Sequence, residues 1–372
     1  MARNSRAKEY LNKKMSRPWY VRLPSIICNV IIAVIVLILL LFLFLTITEY
    51  RPADEESLAI EGTSSKTLSE GDSLTVLTWN TGYGALGDNA DFFMDGGTKV
   101  KTADKERTLY NVNGMIDTIS ALNPDVIFLQ EADINSTRSN HVNETEMYKA
   151  AFEGYESSFA TNFKVAFLPY PIPPIGKVYS GIETFSRFEI TSSERLQLPI
   201  PFSWPVRMAN LKRCLDISRV PIEGSDKELV LINLHLEAYD SGEGKILQTK
   251  RLRSILDEEY AKGNYVIAGG DFNQTFSNVD ASAYPYHEGM WACGAIDTAD
   301  FADGWQFLMD NSTPTCRSLD QVYAGADLSD FQYYMIDGFI VSANVKVESV
   351  ETLDEGFVYT DHNPVLMKVT LE

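Results

Sequence analysis

Apolar and polar residues alternate along this chain with three distinct periods. Residues 26–48 read IICNVIIAVIVLILLLFLFLTIT, where Asn29 and the threonines are the only polar side chains. About 20 apolar residues carry a helix across a bilayer, and this run reaches that length. A cleaved signal peptide would have an apolar core of about 7–15 residues and a small-residue cleavage site. This run is longer and ends in Ile-Thr-Glu-Tyr, so it is read as an uncleaved transmembrane helix. Residues 49–72 are polar and acidic without periodicity, and are expected to form a flexible linker. Short apolar runs then predict strands at 74–78, 125–129, 229–234, 265–268, 335–341 and 364–371. Helical spacing predicts a helix over 105–122, with Leu109, Val112, Met115, Ile116, Ile119 and Leu122 on one face and Pro124 as the stop. A second helix is expected over 243–262, with Ile246, Leu252, Ile255, Leu256 and Tyr260 inward and Gly263 at its end. Strands mixed with helices, with no repeat and no second break in composition, point to one layered α/β domain over 73–372.

Composition narrows the class. At 372 residues and 45% hydrophobic, the chain is neither disordered, collagenous nor a disulfide mini-protein. Its net charge of −19 is unevenly placed. Residues 1–24 hold seven basic residues and one acid, which leaves 25 basic and 50 acidic residues, a net of −25, for the rest. The basic segment 1–25 is therefore expected in the cytoplasm, with the domain beyond the helix extracellular and the whole a single-pass cell-membrane protein. Trp19, Tyr20 and Tyr50 suit the two interfaces. So acidic a body repels polyanions, which disfavours a nucleic-acid-coating role. Cys28 lies in the apolar run, and Cys214, Cys293 and Cys316 form no CxxC, so a zinc site and a disulfide framework are poor readings. A Cys293–Cys316 bridge is the one pairing left open.

Candidate chemistry stands where strands end. Asn80 follows LTVLTW, Glu131 follows DVIFLQ, His235 interrupts LVLINLHLE, and Asp271 and Asn273 follow YVIAGG. Asp337 interrupts MIDGFIVS, and Asp361 and His362 precede NPVLMKV. In α/β sheets, ligands gather at the carboxyl ends of strands, so residues distant in sequence converge there. Carboxylates and an amide oxygen are hard donors suited to Mg²⁺, Mn²⁺ or Ca²⁺. Asp271 could orient or deprotonate a water, His235 and His362 could serve as donors or as acid and base, and Asp337 could fix an imidazole tautomer. Each residue alone is commonly a turn, cap or core group; the ordered set carries the reading. His141 and His287 lie in polar stretches and are read as surface. The sequence Gly82-Tyr-Gly-Ala-Leu-Gly87 matches a dinucleotide fingerprint, but the acidic loop after it does not open a helix. No G-x-S-x-G is present. Asn135, Asn143 and Asn311 begin glycosylation triplets that matter only in a secretory eukaryotic host.

The ordered set resembles the endonuclease/exonuclease/phosphatase superfamily of DNase I-like nucleases, inositol-polyphosphate phosphatases and neutral sphingomyelinases. The matching pieces are LTWNTGYG, VIFLQEAD, YSGIETFSRFEI around Tyr179 and Arg187, NLHLEAYD, GGDFNQTF, MIDGFIVS and TDHNPVLMKV. The resemblance implies an α/β (α+β) four-layer sandwich of two packed mixed β-sheets flanked by helices, here preceded by one N-terminal transmembrane helix. It implies Mg²⁺, with Mn²⁺ or Ca²⁺ as alternatives, held by Glu131 with Asn80 and Asp361 nearby. It makes Asp271 the group that activates water, places Asn273 and His235 on the scissile phosphate, and pairs His362 with Asp337. Which histidine is the base stays open. The chain departs from the pattern at Glu183-Thr184-Phe185, before Ser186-Arg187, and in the long acidic loop after Asn80.

The leading reading is a metal-dependent phosphoesterase tethered to the outer face of a membrane, its substrate a lipid head group, a nucleotide or a nucleic acid. The alternatives are a nuclease of the same fold and a non-catalytic ectodomain. The Pro-rich stretches 169–175 and 199–205 read either as edge structure under loops or as a surface that docks on a membrane.

Overall fold

The computed structural model describes residues 8–10, 18–240 and 242–372. Most of the basic segment expected at 1–25 lies outside the described residues. The chain divides into two units, residues 1–49 and 50–372. The first contains α1 (Trp19–Thr48), whose Leu23–Thr48 portion is long and apolar enough to cross a membrane. The helix starts at Trp19, seven residues before the apolar run.

The second unit rests on two seven-stranded mixed sheets. One has the order β1 (Glu55–Ser57), β7 (Ser192–Gln197), β8 (Cys214–Pro221), β9 (Glu228–His235), β10 (Tyr265–Asp271), β16 (Asp337–Ser342), β13 (Trp305–Leu308). The other runs β17 (Val345–Thr352), β18 (Val365–Leu371), β3 (Ser73–Asn80), β4 (Val126–Asp133), β6 (Gly176–Ser186), β5 (Glu156–Leu168), β2 (Ile60–Gly62). Two short ladders, β11 (Gln274–Phe276) with β12 (Gly294–Ile296) and β14 (Cys316–Arg317) with β15 (Tyr333–Tyr334), lie outside both sheets.

Strand parity builds the layers. Along β10, Tyr265 and Ile267 join a core with Val76, Phe128, Leu231 and Phe339 between the sheets. The alternate residues Val266 and Ala268 face outward onto Leu252, Ile255 and Leu256 of α4 (Glu243–Ala261). On the other sheet, Leu77, Trp79, Ile127 and Leu129 pack on Val112, Met115 and Ile119 of α2 (Lys105–Leu122) and Tyr148 of α3 (Glu144–Ala151). The order is helix, sheet, sheet, helix. The Asp104 carboxylate accepts from the Arg107 N–H at 2.8 Å to cap α2, and Asn123 in the left-handed region ends it before Pro124. In α4, Ile246 was expected inward but is 68% exposed.

The stretch expected as a linker lies along the domain. β1 pairs antiparallel with β7, β2 with β5, and Leu68 is buried in the inter-sheet core. Lys66 Nζ is 2.5 Å from Asp125 Oδ1. Three-residue edge strands borrow an existing ladder of backbone donors and acceptors, so they need no apolar period of their own. That is why an acidic, aperiodic sequence conceals them.

Candidate active site

Pairing register sets the first three residues in a row. β9 and β10 are parallel with His235 opposite Asp271, and β10 and β16 are antiparallel with Asp271 opposite Asp337. All three share the inter-sheet face with Tyr265, Ile267 and Phe339, at the edge where the apolar packing stops. Gly270 permits this alignment: its φ is +147°, and a Cβ there would stand 2.0 Å from the Leu234 carbonyl oxygen. The facing sheet delivers Asn80 at the end of β3 and, just below it, a buried polar tie in which Gln130 Nε2 donates to Asn233 Oδ1 at 2.8 Å.

Asp271 Oδ2 is the hub. Asn80 Nδ2 donates to it at 3.0 Å, His235 Nε2 lies at 3.4 Å and His362 Nε2 at 3.9 Å. Its other oxygen accepts the Asn273 N–H at 2.8 Å. Asn273, with φ of +51°, sends its amide N–H to the Leu236 carbonyl at 2.9 Å. His362 Nδ1 is 2.8 Å from Asp337 Oδ2, and Trp79 Nε1 donates to the His362 carbonyl at 2.9 Å. Asp361 precedes His362 and accepts from the Thr360 hydroxyl at 3.2 Å.

Glu131 reaches the site by a backbone irregularity. Strict alternation after Val126, Phe128 and Gln130 would point it away from the inter-sheet face. The β4–β6 register shifts between Leu129 and Ala132, and Glu131 takes φ of +57°. Its Oε1 thereby lies 3.4 Å from Asn80 Nδ2. All eight residues named from the sequence thus meet in one place, lining or adjoining a cavity of about 620 Å³. Arg187 does not join them: its N–H bonds the Asp125 carbonyl at the opposite end of the sheet.

Four further residues belong to the site without a sequence signal. Arg138 holds Asp133 through two hydrogen bonds of 2.9 and 3.2 Å, lies 3.7 Å from Glu131, and stacks 3.8 Å over the Tyr83 ring. Buried Arg213 donates to the His235 carbonyl at 3.1 Å. Cys316 packs beside His362, its thiol pushed up to about 12 by burial. It is free, as are Cys28, Cys214 and Cys293. Arg138 falls five residues after Asp133 in a polar loop, a spacing with no helical or strand meaning.

The electrostatics separate the two imidazoles. Burial, reinforced by the Arg213 charge, holds His235 well below the usual histidine range, so it is neutral. Burial opposes the charged form of His362 too, but the adjacent Asp337 carboxylate overrides it and holds His362 well above that range. Asp271 is pushed up to about 7 by burial and by Asp337. Burial also raises Glu131 and Asp361, and Asp361 raises Glu131 further.

This donor set fits a hard divalent cation. Buried carboxylates that raise one another are what a cation would relieve. Asp271, Asp337 and His362 form one group with ligand atoms within 4.8 Å of one another, and Cys316, Asp361 and His362 form a second. Asp337 Oδ1 and His235 Nδ1 are buried with no hydrogen-bond partner among the described residues. Asn80 Oδ1 is taken by the Gly82 N–H at 3.0 Å, so Asn80 presents its Nδ2 to the carboxylates.

Two packed mixed sheets with acids, amides and imidazoles at their strand ends define the DNase I-like class. The sequence model of the Endonuclease/Exonuclease/phosphatase family matches residues 77–362, and the chain belongs to that family. Its members are typically hydrolases of phosphoester bonds and generally use divalent metals. Similar solved structures include an endonuclease/exonuclease/phosphatase from Beutenbergia cavernae, with 18% identity and TM-score 0.53 over 80% of this chain and 72% of that one. The human Nocturnin catalytic domain with bound sulfate anion has 16% identity and TM-score 0.51, covering 85% of this chain and 98% of that one. A family protein from Bacteroides vulgatus has 15% identity and TM-score 0.50, covering 81% and 100%. No curated protein matches the chain significantly.

Proposed function

We propose that this chain is a divalent-metal-dependent phosphoester hydrolase, anchored by α1 with its N-terminus cytoplasmic and its domain on the outer face of a cell membrane. The observation that carries it is the convergence of His235, Asp271, Asp337 and His362 beside Glu131 and Asp361. Mg²⁺, held by Glu131 and Asp361 with Asn80 alongside, would neutralise phosphoryl oxygens and stabilise the leaving oxygen, as would Mn²⁺ or Ca²⁺. The remaining chemistry belongs to the chain. Asp271, with a pKa near working pH, orients a water and takes its proton at Oδ2. His362, held protonated by Asp337, donates from Nε2 to a phosphoryl oxygen. His235, kept neutral, hydrogen-bonds the scissile phosphate, and Asn273 braces Asp271 through its backbone N–H. Opposite protonation in two neighbouring imidazoles supports giving them different roles.

The cavity also selects. Phe92, Phe163, Leu168, Phe202, Leu211 and Trp291 line it beside the polar floor. We infer a substrate whose phosphoester carries an apolar group, with a lipid head group ahead of nucleic acid. Full-length protein assayed on bis-p-nitrophenyl phosphate, phospholipid and plasmid DNA tests both points. We expect turnover with Mg²⁺, none with EDTA, and a loss of about 10²-fold or more in Asp271→Ala and His362→Ala. Full activity in both variants would refute the assignment.

A further inference from the structure

Two apolar segments frame the mouth of the cavity. The end of β5 and the β5–β6 connection read Phe-Leu-Pro-Tyr-Pro-Ile-Pro-Pro-Ile over 167–175, and the first part of the connection from β7 to β8 reads Leu-Pro-Ile-Pro-Phe-Ser-Trp-Pro-Val over 198–206. Each puts one set of side chains into the cavity, among them Leu168, Ile175, Phe202 and Val206. Each also presents apolar groups to solvent: Ile172 is 95% exposed, Tyr170 69% and Trp204 56%. The two segments are tied at their bases, where Lys212 N–H donates to the Asn162 carbonyl at 2.6 Å. The start of α4, where Ile246 and Leu247 are exposed, adjoins the second segment, since Gln248 Nε2 donates to the Pro199 carbonyl at 2.9 Å. An exposed patch this apolar on a body this acidic calls for an occupant.

Chain connectivity names it. The apolar run of α1 ends at Thr48, and Tyr50 is already seated on the domain. Its ring lies 5.8 Å from Lys164 Nζ and 5.9 Å from the Arg195 guanidinium. Lys164 leads into the first apolar segment, and Arg195 donates to the Lys212 carbonyl at the base of the second at 2.7 Å. Two residues span at most about 7 Å. Whatever the angle of the helix, its apolar run therefore ends within about 7 Å of chain from the place where both segments are rooted. Charge agrees with the bilayer as occupant. Residues 164–177 carry two exposed lysines and no acid, and residues 198–210 carry Arg207 and no acid, within a body of net −25.

We propose that this rim docks into the same bilayer that holds α1, so that the cavity opens onto the membrane and takes its phosphoester from lipid in that leaflet. The docking rests on α1 spanning the membrane; the substrate clause rests also on the hydrolase reading above. Apolar side chains at the interface, flanked by lysines, are the composition that binds such a surface.

The test uses the full chain in vesicles of phosphatidylcholine and phosphatidylglycerol, with and without brominated phosphatidylcholine. In Ile172→Trp, the emission added over wild type should shift to the blue and be lost with brominated lipid. In Asp226→Trp, placed on an 87% exposed site at the opposite end of β9 from His235, it should not. Ile172→Asp should retain wild-type turnover of bis-p-nitrophenyl phosphate and lose about tenfold on bilayer phospholipid, the equivalent of one unburied isoleucine. Flotation with the vesicles reports the anchor separately. Protein that floats without quenching at 172, or with equal quenching at 226, overturns the docking. Emission at 172 that is shielded only on self-association, and is indifferent to bromine, assigns the patch to a second copy and overturns it as well. Failure to float overturns the anchor and the docking together. Quenching at 172 without turnover of any substrate leaves docking standing and refutes the hydrolase reading and the substrate clause.

Discussion

At the scale of the residue, the candidate site holds like charges and unlike protonation states side by side. His362 is the sharpest case, because burial opposes its cationic form and the 2.8 Å contact with Asp337 is the main thing that favours it. Asp337→Asn keeps the shape and removes the charge. We expect kcat on bis-p-nitrophenyl phosphate to fall by about 10²–10⁴, with KM changed far less, as when a base or donor loses its orienting acid. A variant with wild-type kcat would show that His362 does not act as the proton donor. The residues of this site were legible in the sequence because chemistry, order and strand ends coincided. Arg138, Tyr83 and Arg213 were not, since their roles come from the cavity wall. Nor could the sequence show how Glu131 arrives: the register shift and its positive φ are tertiary solutions with no composition mark.

At the scale of the element, long periodic segments read well and borrowed structure read poorly. The helix over 105–122 has the bounds its spacing predicts, because its apolar face, cap and stop all agree. The outward turn of Ile246 has a local cause: the buried face of α4 runs through Gly244, Lys245, Gln248, Leu252, Ile255, Leu256 and Glu259, and at about 100° per residue Ile246 falls on the other side. The larger difference concerns residues 50–72, which contribute β1, β2 and the buried Leu68. A fragment of residues 73–372 would expose the edges of β5 and β7 and empty the place of Leu68. One buried leucine is worth about 2 kcal/mol before the cavity is counted. Residues 73–372 should therefore melt about 5 °C or more below residues 50–372 in a calorimetric scan. Equal melting temperatures would mean that the strand pairing of 55–62 adds nothing to the fold.

At the scale of the whole molecule, charge and apolar surface act on substrates in opposite directions. The chain beyond residue 24 carries a net charge of −25, while the cavity itself sets Asp95, Glu131, Asp271 and Asp361 against Arg138, Arg213 and Arg317. A polyanion approaching this body meets repulsion that extends about a Debye length, roughly 30 Å at 0.01 M salt and 8 Å at 0.15 M. A small diester with one charge feels little of it outside the cavity. For a basic nuclease, added salt weakens DNA binding by counterion release. Here the sign reverses: kcat/KM for plasmid DNA should rise between about 10 and 150 mM NaCl at constant Mg²⁺, while that for bis-p-nitrophenyl phosphate stays flat. Steady-state rates on both substrates across that range measure it. A DNA rate that falls with salt would reveal a basic track on the domain and favour the nuclease over the lipid hydrolase. A rising one would mean that the acidic body excludes polyanions, leaving substrates whose affinity comes from apolar groups seated in the cavity.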